Sequence, residues 1–202
     1  MSDAPDADAT PERPRLSGVQ VTVAIVAIVA VGFLLVLGST KVDRNGVNFD
    51  IVGSPAPSVT GVSYQGEVFD LDAVLQANRS LPAAEQRWVV LNFFGSWCVE
   101  CVREHGDLVR FDTEGVITPD GRACAVDLIG VTFDDSPENV REFFETRGGD
   151  WPVLVSGGLS AAVVQYGVTA APETIVVAPN GLVIEKFAGA VTYDLLREHI
   201  TC

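Results

Sequence analysis

Positive charge is scarce in this chain: 13 lysines and arginines stand against 27 aspartates and glutamates over 202 residues, a formal net charge of −14. Phosphate backbones attract the opposite sign, so a nucleic-acid partner does not fit. The acidity reads as surface solubility, with an acidic face selecting basic partners as the sharper alternative. Cysteine is sparse too: Cys98, Cys101, Cys124 and Cys202 are the four. Without a second Cys-x-x-Cys, a four-thiolate zinc site lacks its other half. Val102 rather than histidine follows Cys101, so the motif for covalent haem attachment is missing. No internal repeat is visible.

Charge of either sign is absent from Leu16 to Thr40, and the densest part, Val19 to Gly38, is almost wholly apolar. A helix of about 20 residues rises about 30 Å, the thickness of the hydrocarbon layer. A buried core helix would keep a polar face, and this run has none. Residues 16–40 are therefore read as a transmembrane signal-anchor. The rival, a cleaved signal peptide, wants a shorter apolar region and an A-x-A-like site, which Leu37-Gly38-Ser39-Thr40 matches poorly. Arg13 and Arg15 precede the span and Lys41 and Arg44 follow it, so the positive-inside rule is silent. Residues 1–15, rich in proline and aspartate with little to bury, are expected to be a disordered cytoplasmic tail.

Residues 41–57, with Gly46, Gly53, Pro55 and Pro57, read as a linker. The domain is then 58–202. Gln65-Gly66 divides Val59–Leu71 into two short strands of a hairpin, and 72–87 are mixed. Trp88–Phe94 is a nearly continuous apolar run, suited to a central strand buried on both faces, with Asn92 its one polar member. Gly95-Ser96-Trp97 turns the chain into a helix whose inward stripe is Cys101, Val102, His105, Leu108 and Val109. Val126–Phe133 is the next strand. Ser136 as N-cap and Pro137 at the first position start a helix that ends at Gly148-Gly149. A short strand at Trp151–Val155, a helix at Leu159–Tyr166, strands at Thr174–Ala178 and Leu182–Phe187 around an Asn-Gly turn, and a last helix over 193–201 complete the chain. Alternating elements with a late hairpin give an α/β sandwich with a mixed central sheet flanked by helices.

Cys98-Val99-Glu100-Cys101 carries two thiols placed to close on each other at the start of a helix. A helix N-terminus lowers the cost of a thiolate, the species that attacks disulfides. Ala171-Pro172-Glu173-Thr174 lies ahead of another β-branched run. Together these features indicate thiol–disulfide chemistry.

The run Leu91 to His105, LNFFGSWCVECVREH, resembles the active-site segment of thioredoxin-like proteins, and is most similar to membrane-tethered thiol:disulfide interchange proteins of cytochrome c biogenesis. Tyr166 to Thr174, YGVTAAPET, resembles that subfamily's Gly-Val-x-x-x-Pro-Glu-Thr segment. The likeness covers about residues 53–201. It implies a thioredoxin-like fold and a catalytic set of Trp97, Cys98, Glu100, Cys101, Pro172 and Glu173, with no cofactor and no bound metal. Cys98 would be the attacking thiol, first in its helix and partly exposed, and Cys101 the buried resolving thiol. Pro172 would be cis and would expose the backbone of Ala171 to a substrate strand. Thioredoxins proper carry a buried aspartate where this chain has Asn92, so Glu100 or Glu173 would assist proton transfer at Cys101. Carboxylates near Cys98 would also raise its pKa, leaning the pair towards electron donation.

The resemblance further implies an oxidised protein substrate, the Cys-x-x-Cys-His of an apocytochrome c, and a membrane electron donor. It places the domain outside the cytoplasm, where disulfides form, on a single-pass anchor held in the lipid bilayer by residues 16–40. In that fold Cys124 and Cys202 fall at the edge distant from Cys98, and a structural bridge or two free thiols are both open. Three rivals stand beside the reductant: an extracytoplasmic disulfide oxidase for secreted proteins, a metallochaperone using Cys98, Cys101 and His105, and a thiol peroxidase. The last wants threonine three residues before the reactive cysteine, where Gly95 stands. His105 otherwise reads as a partly buried packing residue, and His199 as exposed.

Overall fold

The computed structural model describes residues 18–39, 51–117, 121–156 and 160–201. They fall in two units, divided between Asn45 and Gly46. The first holds one helix, α1 (Gly18–Ser39), coincident with the apolar run. Side chains are described in it only at Thr22, Val23 and Ile25–Phe33. Among the described residues no helix is long and apolar enough to cross a membrane.

The second unit is built on β3 (Arg87–Phe94), whose eight residues are buried after the first. It pairs in parallel with β5 (Ala123–Thr132) and antiparallel with β7 (Glu173–Val177), which pairs antiparallel with β8 (Val183–Ala188). Outside β5 lie β4 (Val116–Ile117) at one end and β6 (Val153–Leu154) at the other. Among the described residues this mixed sheet has six strands. A two-stranded hairpin, β1 (Thr60–Val62) and β2 (Val68–Asp70), stands apart and touches the main sheet through a Ser63–Leu154 bridge.

Period-two alternation along β3 supplies both cores. Trp88, Val90 and Phe94 pack with α3 (Val99–Glu114), α4 (Pro137–Arg147) and α6 (Tyr193–Glu198). Val89, Leu91 and Phe93 pack with Leu71 of α2 (Leu71–Asn78) and Val163 of α5 (Ala161–Gln165). Full burial of each such side chain is worth about 1.5–3 kcal/mol. Asn92 falls on the α3 side. Opposite it, a Cβ at Gly130 would meet Val153 at 2.9 Å and Phe94 at 3.1 Å, so only glycine fits between strand and ring.

Three expectations change. Residues 51–57, read as linker, are laced to the late hairpin: Gly53 N donates to Val183 O (2.8 Å) and Ala56 N to Gly181 O (2.8 Å). Their glycines and prolines shape an ordered edge segment. The mixed stretch after Asp70 begins with α2, capped by the Asp70 carboxylate, which accepts from Ala73 N (3.2 Å). The inward stripe of α3 is Cys101, Glu104, His105, Leu108 and Phe111, rotated from the predicted one because a carboxylate occupies an interior position.

Candidate active site

β3 delivers the chain to Gly95-Ser96-Trp97 at its carboxyl end. A Cβ on Gly95 would stand 2.7 Å from the Trp97 indole, so glycine lets the ring fold back on the turn. Trp97 Nε1 donates to Asp134 O (3.1 Å), and Ser96 N donates to the Asp135 carboxylate (2.6 Å). Asp134 takes φ 54°, the left-handed region that aspartate tolerates better than most residues. The turn after β5 thus braces the turn after β3.

Cys98 is the N-cap of α3, one position before the first helical residue where it was expected. Its Sγ accepts from Cys101 N at 3.1 Å, in the place usually taken by a serine or aspartate oxygen. Cys98 and Cys101 form a disulfide, with Cα atoms 5.2 Å apart. Both are recessed, Cys98 at 6% exposure and Cys101 at 2%, so the partial exposure expected of Cys98 is not found in this oxidised pair. The neighbours stand out instead, Trp97 at 58% and Val99 at 67%. Ala171-Pro172 is cis, as expected, and Ala171 O lies 3.4 Å from Cys98 Sγ.

The two predicted carboxylates go elsewhere. Glu100 is half exposed and bound to Arg103 at 2.7 Å on the outer face of α3. Alternation along the first turn places it away from the buried stripe. Glu173 is buried, but its Oε1 accepts from Thr169 N (2.8 Å), Ala170 N (3.2 Å) and Thr169 Oγ1 (3.1 Å). It is committed to its own loop.

The buried acid on the same helix face as Cys101 is Glu104, three residues after it. Its Oε1 accepts from Asn92 Nδ2 (2.9 Å) and its Oε2 from Val191 N (2.8 Å). Asn92 Nδ2 also donates to Thr174 Oγ1 (3.0 Å). Burial pushes the Glu104 carboxyl up to about 7, against the pull of the Val191 and Asn92 hydrogen bonds. The signal was present in the sequence: Glu104 falls on the stripe three past Cys101 and four before Leu108. Asn92 therefore marks where the interior acid has moved from strand to helix.

His105 is buried, and its ring nitrogen Nε2 lies 2.8 Å from Gly148 O. Its ring packs edge-on against Phe143 and Phe144, and burial lowers its pKa. Among the described residues no group of three metal-ligating side chains is present. His199 is half-buried rather than exposed, over Phe187. Cys124 is itself disulfide-bonded. The pairing expected for it, with Cys202, lies outside the described residues.

A disulfide that caps a helix beside a cis-proline, on a mixed sheet of this order, defines a thioredoxin-like thiol:disulfide oxidoreductase. The chain belongs to the Redoxin family, whose model matches residues 51–198. It is similar to the thiol:disulfide interchange protein HelX of Rhodobacter capsulatus, 25% identical over 158 residues that cover 78% of this chain and 80% of HelX. It is likewise similar to the thiol-disulfide oxidoreductase ResA of Halalkalibacterium halodurans, 24% identical over 70% of this chain and 76% of ResA. In fold it resembles a secreted thiol-disulfide isomerase of Corynebacterium glutamicum, with a TM-score of 0.56 at 23% identity, covering 71% of this chain and 81% of that one.

Proposed function

We propose that the protein is a membrane-anchored, extracytoplasmic reductant of protein disulfides, acting on the Cys-x-x-Cys-His of apocytochrome c during cytochrome c maturation. The observation that carries the reading is the Cys98–Cys101 disulfide capping α3 beside the backbone of Ala171. In the reduced domain the Cys98 thiolate attacks one sulfur of a substrate disulfide. A mixed disulfide forms and the other substrate sulfur leaves as a thiolate. Cys101, losing its proton, then attacks Cys98 Sγ; the second substrate sulfur leaves, and two electrons have passed to the substrate. Glu104 takes the proton, as a buried carboxyl with a pKa near neutrality can. A membrane dithiol donor returns the pair to the reduced state.

Anchoring rests on the uncharged, largely apolar run 16–40 of the sequence. The extracytoplasmic side is supported by the chemistry, because a tethered dithiol is most useful where disulfides form. The deciding measurement is the equilibrium potential of Cys98–Cys101 against glutathione. A value near about −270 mV or lower supports the reductant; one near about −120 mV turns the protein into an oxidase of secreted proteins.

A further inference from the structure

Lys186 is half-buried in the middle of β8, and its ammonium faces three acceptors. Nζ lies 3.0 Å from Glu173 Oε2 and donates to Tyr166 O (2.9 Å) and Gly167 O (2.7 Å). Its side chain is 18% exposed and that of Glu173 is 4%. Glu173 in turn spends Oε1 on Thr169 N, Ala170 N and Thr169 Oγ1. Two side chains thereby tie down four of the five positions from Tyr166 to Ala170. The next residue is Ala171, whose carbonyl stands beside Cys98 Sγ. Desolvating a charged pair costs free energy that its attraction must offset, so this pair is weak evidence of added stability.

We propose that Lys186, through Glu173, is a positioning residue that makes the site selective for polypeptide disulfides over small ones. An extended substrate chain needs the Ala171 backbone held at a fixed distance from the attacking sulfur, because strand-like pairing tolerates little displacement. A small disulfide needs only access to Cys98. The inference rests on the oxidoreductase reading above and adds a residue that sets its preference for polypeptide disulfides. Nothing in the electron transfer itself passes through Lys186.

The test is single-turnover oxidation of the pre-reduced full chain by two probes: a short peptide closed by an internal Cys-x-x-Cys disulfide, and dithiodipyridine. In Lys186→Met the peptide concentration giving half-maximal rate rises, and the peptide-to-dithiodipyridine rate ratio falls about tenfold, the equivalent of about 1.4 kcal/mol of lost positioning. Lys186→Arg restores most of the ratio. Lys186→Met strands the Glu173 charge and can unfold the domain, so Glu173→Gln/Lys186→Met, which buries no lone charge, is measured beside it and shows the same fall. A ratio within about twofold of wild type in a folded variant overturns the inference, as does a parallel loss with both probes. Wild-type protein that reduces neither probe overturns the oxidoreductase reading itself.

Discussion

At the scale of single residues, the acid is displaced from the strand to the helix. Asn92 cannot ionise, but its amide orients Glu104, and the apolar surroundings keep that carboxyl protonated well above its ordinary 4.5, up to about 7. The folded state therefore holds a proton that the unfolded chain has given up. Stability from this group is fully present below pH 4.5 and is lost as pH rises through about 7, on the order of 3 kcal/mol in all. Chemical denaturation at pH 5 and at pH 8 should show that loss in the wild type and a much flatter profile in Glu104→Gln. Cys101→Ala should arrest the reaction at the mixed disulfide: a peptide disulfide incubated with the reduced variant stays covalently on Cys98, visible as an added mass that dithiothreitol removes. A Cys98→Ala variant should capture nothing.

At the scale of elements, the strands and helices that announce themselves chemically were the readable ones. Ser136-Pro137 fixed the start of α4 and Gly148 its end, because cap, proline and left-handed glycine each have one physical reason to be there. Trp88–Phe94 was legible as β3 for its continuous apolar character. α2 was not, since eight residues with Asn78 and Gln76 carry too little periodicity to declare a helix. The site divided in the same way. Cys98, Cys101 and Pro172 are announced by motif and Glu104 by its place on the helical stripe, whereas Asp135 and Lys186 act through tertiary contacts that no local pattern encodes. The brace between the two turns yields a test of its own. Gly95→Ala puts a methyl against the Trp97 indole, so the ring must swing out and release Asp134 O. That should cost about 1–3 kcal/mol in stability by overpacking and slow peptide reduction, with the near-ultraviolet circular dichroism of tryptophan altered.

At the scale of the whole molecule, the fold closes over long sequence distances. Trp88 Nε1 donates to Thr201 O at 3.1 Å, and Cys124, near the start of β5, is held in a disulfide. Peptide mapping without reduction should recover Cys124 linked to Cys202; two peptides alkylated as free thiols would end that expectation. Membrane association belongs at the same scale. The full chain should sediment with membranes and resist carbonate extraction, and a chain beginning at Gly46 should stay in the supernatant with its thermal midpoint preserved. The buried carboxyl three residues past Cys101 has a last consequence, electrochemical in kind. Reduction installs two thiols, and an ionised Glu104 on the same helix face holds the Cys101 thiol in its protonated form. Taking up two electrons then draws in two protons up to the pH at which a thiol ionises, and the carboxylate delays that step. A plot of midpoint potential against pH should keep its full slope to a higher pH in the wild type than in Glu104→Gln.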